Sequence, residues 1–300
     1  MNVKRLAVSC AFLTLALAGC TASHPPASRL ARFTHFTGRE AGFTQQEQAW
    51  VDDNCPLGLP QKDPSWQHGP TVYVAREGYV LEHSSVDKIA LWVCERLVPE
   101  EVTGSAVRRD RFAPDPKLQG QPRSELQDYK RSGYDRGHQA PAGDQNRSQQ
   151  LKDETFFLSN MAPQKGALNQ KVWAEIEHKV RGWVEAGLVP TAWIITGGFF
   201  YDPAEEDEDS ADGLILFNQI GPGLVSVPTH FYKIVVTKDG ENWRAVAFVL
   251  ENRGYSQPYR FEEYLEPVDW IEERTGLDFL PDLDPLAEPE VEGRVGTLLD

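Results

Sequence analysis

The chain has 300 residues, 40% of them hydrophobic and 25% charged, which supplies one sizeable core with extensions and excludes a disordered or low-complexity chain. Its 8 Trp, 9 Tyr and 14 Phe argue the same way. A formal net charge of -15 excludes a protein drawn to polyanions by its overall field.

Taken from the start, Lys4 and Arg5 precede an apolar run from Leu6 to Ala18, too short to span a bilayer and ending in small residues, so residues 1–19 read as an export signal. Leu17-Ala18-Gly19-Cys20 resembles a bacterial lipobox, in which cleavage leaves Cys20 as a lipidated N-terminus. Acyl chains on Cys20 would anchor the protein in the cell envelope, each buried methylene contributing about 0.8 kcal/mol. Thr21 in the next position, rather than Asp, favours the outer membrane where the host has two. No later run is long enough for a transmembrane helix. Residues 20–65 mix Ser, Pro, Gly and polar residues and read as a tether merging into an N-terminal extension.

Cys10 would leave with the signal and Cys20 would carry lipid, so Cys55 and Cys94 remain. In an oxidising compartment a Cys55–Cys94 disulfide is expected, closing a loop of about forty residues and worth roughly 2–4 kcal/mol; two buried thiols are the alternative. Two isolated cysteines lack the paired spacing of a zinc site.

Thr71–Arg76 and Tyr79–His83 read as strands of a hairpin around Glu77-Gly78, and Ile89–Glu95 as a buried strand. From Arg108 to Lys130, Pro114, Pro116 and Pro122 prevent long elements and leave a loop of the kind that serves a site. Thr155–Asn160 reads as a short apolar strand. A helix is expected from Leu168 or Asn169 to about Glu185, with Val172, Trp173, Ile176, Val180 and Trp183 on its inward face and Gly187 ending it. Ala192–Phe200 is a core strand with a glycine bend. Phe231–Val236 and Trp243–Leu250 flank Asp239-Gly240 as a hairpin, and a short helix falls between Tyr264 and Glu273. Residues 66–283 form the domain, and the acidic residues 284–300 read as a flexible tail.

Charge is unevenly spread. Residues 104–183 carry fourteen Lys/Arg against ten Asp/Glu, a balance of +4 that leaves -19 elsewhere, much of it in Glu205–Asp209 and the tail. The basic segment is also where the chemistry concentrates. His138 stands beside Arg136 in a stretch of turn formers, and about thirty residues on the expected helix offers Asn169 and Glu177. Cutting a phosphodiester needs a base for water, positive charge for the crowded transition state and help for the departing oxygen. A neutral imidazole suits the first task, and an amide oxygen suits a hard cation that keeps most of its waters. On a regular helix Glu177 would stand two turns plus about 80° from Asn169, near enough to act on the same ion.

At these residues the sequence resembles the DNA/RNA non-specific endonuclease family, the endonuclease G type included. The motifs are Asp135-Arg136-Gly137-His138, Ser159–Gln164, Leu168–Glu177 and Val227–Lys233, in that order. The resemblance runs from about Thr71 to Leu283. It implies an α+β protein with a ββα-metal fold, a central antiparallel sheet and flanking helices. It implies Mg²⁺, with Mn²⁺ as a substitute, and DNA and RNA as substrates. His138 takes the place of the general base, Asn169 of the direct metal ligand, Glu177 of the carboxylate that orders the ion's water, and Arg136 of the arginine before the base. An upstream arginine stabilises the transition state in that family, and Arg108 is the favoured match, with Arg109 and Arg111 still open. Products with 5′-phosphate and 3′-hydroxyl ends follow by the same resemblance. Some relatives form homodimers, but nothing in this sequence is diagnostic of an interface. His178, His230 and Asp144 read as structural, Phe199, Phe200 and Trp193 as core, and Glu205–Asp209 as a solvated loop. The competing readings are a surface lipoprotein that binds nucleic acid without cutting it, and a phosphodiesterase for another polyanion.

Overall fold

The computed structural model describes residues 42–64, 69–206 and 213–299, together with the backbone of Asn2–Ala7. Seven strands make the central sheet, in the order Leu265–Glu266, Asn242–Glu251, His230–Asp239, Ala192–Phe199, Ala90–Leu97, Val80–Ser84, Thr71–Ala75. Every neighbouring pair runs antiparallel. Gly240, at φ +61°, supplies the left-handed turn conformation between the paired strands His230–Asp239 and Asn242–Glu251.

Alternation along these strands serves two cores rather than one. Ile194, Phe231, Val235 and Phe248 turn to one face, and Ile195, Tyr232, Ile234 and Ala247 to the other. On the first face lies the helix Ala174–Glu185, burying Ile176, Val180, Trp183 and Val184 as its period requires. Gly187, at φ +70°, closes that helix; its N–H reaches the Val184 carbonyl and Leu188 N–H the Trp183 carbonyl, a Schellman pair. On the second face sit the helices Gln45–Asn54 and Val268–Thr275. The result is an α+β protein with helices on both sides of an antiparallel sheet.

One topological fact positions everything that follows. The strands Ala90–Leu97 and Ala192–Phe199 are sheet neighbours, yet the chain between them includes residues 98–191. That excursion holds a two-stranded ribbon, Asp135–His138 paired with Met161–Gln164, and the helix Ala174–Glu185. Ribbon and helix together are the ββα unit.

The structure departs from the sequence-based expectations in several places. Gln45–Asn54 is a helix inside the expected tether, started by a capping box in which Glu47 N–H donates to Thr44 Oγ1 and Thr44 N–H to Glu47 Oε2. Thr155–Asn160 is not a strand; Leu158–Asn160 is a 3₁₀ turn, and the strand begins at Met161. The buried Asn160 amide donates to the carbonyls of Thr155 and Ala140, and this curls the chain. The short C-terminal helix, Val268–Thr275, starts within the expected stretch and runs two residues beyond Glu273. Residues 284–299, expected to be flexible, pack on the domain: Val291 is 4% exposed, and Gly296 lies so close to Ala245 that a Cβ would meet its carbonyl oxygen at 2.1 Å.

Cys55 and Cys94 are free thiols here rather than a disulfide. Both are buried in the second core, where a thiol packs as a small hydrophobe. Burial pushes the Cys55 thiol well up, helped by the hydrogen-bonded Cys94 beside it. Asn2–Ala7 pairs by its backbone with Leu214–Gln219, while the rest of the expected targeting segment and Cys20 lie outside the described residues. Among the described residues no helix is long and apolar enough to cross a membrane.

Candidate active site

His138 ends the first ribbon strand, opposite Met161. Two features force its position. Gly137 lies against buried Gln164, so closely that a Cβ would fall 2.1 Å from Gln164 Oε1. Beyond His138, Asn160 clamps the chain: its Oδ1 accepts from Ala140 N–H and its Nδ2 donates to the Ala140 carbonyl, both at 2.9 Å. Gln139 N–H donates to the Asn160 carbonyl at the same distance. The imidazole is thereby held between Phe156, edge-on with centroids 4.9 Å apart, and Phe112, 5.8 Å away.

This aromatic wall strips water from the ring, and two cations flank it. The Arg108 guanidinium stands 5.2 Å over Phe156 and that of Arg136 3.9 Å over Phe112. Burial first, then Arg108, lowers the His138 pKa to about 3, against a smaller upward pull from Asp110. The lowered pKa favours the neutral imidazole near neutral pH, and among the described residues its buried Nε2 has no hydrogen-bond partner. Arg136 does not hold the loop through a carboxylate: among the described residues none pairs with it. It lies on Phe112 and faces the groove. Among the described residues Arg108 pairs with exposed Asp110, at 2.7 Å, while Arg109 is drawn to Asp153 on another turn. Geometry thus sets Arg108, of the three upstream arginines considered, beside the imidazole.

Arg108, Phe112 and Arg136 line a groove of about 610 Å³, whereas His138 is not among its lining residues. Arg108, Lys130, Arg131 and Arg136 line it against Asp110 and Asp135, so its wall is net positive despite the acidic whole. Asn169 opens into the same groove. Its Nδ2 donates to Asp135 Oδ2 at 2.9 Å, and Gln170 Nε2 donates to the same oxygen at 2.7 Å. Since the nitrogen is committed, the Asn169 oxygen is the atom available to a hard cation. Asp135 was legible as part of the motif, but its role as the anchor of that amide was not. Nor did Asn160 or Gln164 carry any sequence signal beyond membership of a motif.

Asn169 does not sit on a regular helix with Glu177. The backbone kinks at Lys171, φ -129°, ψ -106°, and the regular α-helix begins only at Ala174. The two-turns-plus-80° offset assumed one unbroken helix and does not apply across the kink. Glu177 is half-buried in the first turn of that helix and is not among the residues lining the groove. Burial lifts its pKa to about 7, with Asp144 adding to the rise and Lys233, Arg181 and Arg108 opposing it. The opposing cations are fixed in place. Lys233, fully buried, donates from Nζ to Thr196 Oγ1 at 2.7 Å above the Trp173 ring, and Arg181 donates to buried Asp144.

The residues read as structural behave so. Asp144 N–H closes a turn on the Pro141 carbonyl, His230 bonds Thr229 Oγ1 with its pKa lowered to about 4 by burial, and Phe199 is in the second core. Glu205 accepts from Gly213 N–H and Glu206 pairs with Arg274, while residues 207–209 lie outside the described ones.

The His138 imidazole, the Asn169 amide and the Glu177 carboxylate are all carried by the ββα unit and its connections. Comparison with known proteins identifies the family. Residues 65–286 match the family model described as DNA/RNA non-specific endonuclease. Nuclease C1 of Cunninghamella echinulata var. echinulata is 35% identical over 217 residues, covering 71% of this chain and 84% of that protein. Human mitochondrial endonuclease G is 35% identical over 211 residues, covering 70% and 69%. Among solved structures, that of the EndoG/EndoGI complex matches with a TM-score of 0.68 at 28% identity, over 79% of this chain and 94% of the other. The chain belongs to the DNA/RNA non-specific endonuclease family and is a hydrolytic endonuclease with the ββα-metal fold.

Proposed function

We propose that the protein is an Mg²⁺-dependent endonuclease that hydrolyses both DNA and RNA, with His138 as general base. The observation that carries this reading is the imidazole of lowered pKa flanked by Arg108 and Arg136, two arginines that also line a groove shared with Asn169. The residues fit a hard divalent ion: Asn169, turned by Asp135, would hold it through oxygen, and the half-buried Glu177 would order hydration around it. Bound there, Mg²⁺ or Mn²⁺ supplies positive charge to the scissile phosphate and the departing oxygen.

The chain's own groups do the rest. His138 takes the proton of the attacking water; its burial keeps it unprotonated and free to accept. Arg108 and Arg136, braced on Phe156 and Phe112, neutralise charge that builds on the phosphate oxygens. Lys130 and Arg131 extend the positive wall along the backbone of the substrate. Contacts made to phosphate rather than to base edges carry no sequence information, which fits indifference to sugar and base.

For location, the Leu6–Ala18 run and the Leu17–Cys20 lipobox support export and lipid anchoring through Cys20. In an oxidising compartment Cys55 and Cys94, already side by side, would close a disulfide.

The test is cleavage of plasmid, single-stranded DNA and RNA by the wild type, His138→Ala and Asn169→Ala, each with Mg²⁺ or chelator. Loss of cleavage of all three substrates in His138→Ala, and a raised Mg²⁺ requirement in Asn169→Ala, are expected. Full metal-dependent cleavage by His138→Ala would overturn the base assignment.

A further inference from the structure

Far along the chain from the groove-lining residues, acidic groups converge beneath the C-terminal segment. Asp269 and Glu272 stand on the helix Val268–Thr275, Asp278 follows it, and Glu288 and Glu292 come from the final stretch. Carboxylate oxygens of Asp269, Glu288 and Glu292 lie within 4.8 Å of one another, and so do those of Glu272, Asp278 and Glu292. Glu292 belongs to both triads. It is 4% exposed, and among the described residues its buried Oε1 has no hydrogen-bond partner.

Backbone donors hold the frame of this cluster. Asp269 N–H donates to the Glu292 carbonyl at 3.1 Å, and Phe279 N–H donates to Glu272 Oε1 at 2.8 Å. A buried, unsatisfied oxygen among like charges is costly unless a cation or a proton joins it.

We propose that these carboxylates form a Ca²⁺ site that fastens the C-terminal segment to the domain. The donor set is all oxygen, drawn from three separate stretches of chain, and partly buried. Ca²⁺ accepts six to eight oxygens in a flexible shell, whereas Mg²⁺ demands a tight octahedron and keeps its waters. An ion bound there would join the C-terminal segment to the helix Val268–Thr275 through Glu292. This site shares no residue with the catalytic reading and stands independently of it.

The experiment uses the full chain and CaCl₂ as probe, with thermal unfolding in Ca²⁺ against chelator and Ca²⁺ titration by calorimetry. Wild type and Asn169→Ala are expected to gain several degrees in Tm with Ca²⁺, and Glu292→Gln to gain none. Asp278→Asn, at a half-exposed position, guards against misfolding of the buried variant; its Ca²⁺ affinity is expected to fall more than tenfold. Chelator should also expose the chain after Leu283 to protease in the wild type. The proposal is overturned if Ca²⁺ leaves the wild-type Tm unchanged, or if Glu292→Gln responds as the wild type does. A response lost in Asn169→Ala but kept in Glu292→Gln would place the ion in the groove instead, and overturns it equally.

Discussion

Replacing Asp135 with Ala tests whether Asn169 is a ligand whose orientation is imposed from behind. In the wild type the Asn169 amide is fixed by one hydrogen bond of 2.9 Å to a carboxylate, and the same oxygen receives Gln170 at 2.7 Å. A hydrogen bond to a charged acceptor is worth about 1.5–3 kcal/mol, and loss of such outer support costs roughly 10–100-fold in metal affinity. The two figures agree, since each factor of ten is about 1.4 kcal/mol. The Asp135→Ala enzyme should therefore need about 10–100 times more Mg²⁺ for half-maximal plasmid cleavage, with most of kcat restored at saturation. Asp135→Asn, which keeps a carbonyl acceptor without the charge, should fall between. Initial rates across a Mg²⁺ series decide it. A half-saturating Mg²⁺ within twofold of wild type for Asp135→Ala would refute the reasoning, because the amide would then orient itself.

Further outcomes follow from the same geometry. Gly137→Ala drives a methyl into the buried Gln164 side chain; overpacking of this kind costs about 1–3 kcal/mol, or roughly 2–4 °C of Tm per kcal/mol at this size, and calorimetry reads it. Arg108→Ala should lose about 10²–10³ in kcat as one charge donor is removed, while Arg109→Ala, paired with Asp153, should stay near wild type; the reverse order would reassign the arginine. The His138 pKa is lowered to about 3 and that of Glu177 raised to about 7, so Glu177 rather than His138 is expected to set the acid limb of activity. As pH falls through that range Glu177 takes up a proton and activity drops. Added Mg²⁺ favours its ionised form and should move the limb to lower pH, and Glu177→Gln should abolish the limb. Profiles of kcat/KM at two Mg²⁺ concentrations check this.

The site was legible where chemistry restricts the residue and obscure where only geometry does. His138, Arg136, Asn169 and Glu177 stand out because base, cation and oxygen ligands are few in kind. The helix and its end were plain from apolar spacing and Gly187. The kink at Lys171 was not, because that residue bears no mark of its unusual φ and ψ. Thr155–Asn160 misled because a short apolar run suits strand or turn alike, and the Asn160 side chain decided between them. The tail misled through its average composition. Acid and proline suggest solvation, yet Val291 and the close approach at Gly296 are enough to hold it down.

Every residue assigned to the reaction is carried by the excursion between two adjacent rungs of the sheet, Ala90–Leu97 and Ala192–Phe199. Those rungs are held in register by their own pairing, whatever leaves one and returns to the other. Doubling the length of such a detour costs only about 0.6 kcal/mol in closure. Grooves with new reach or new charge can therefore be tried between fixed endpoints while the scaffold beneath keeps its architecture.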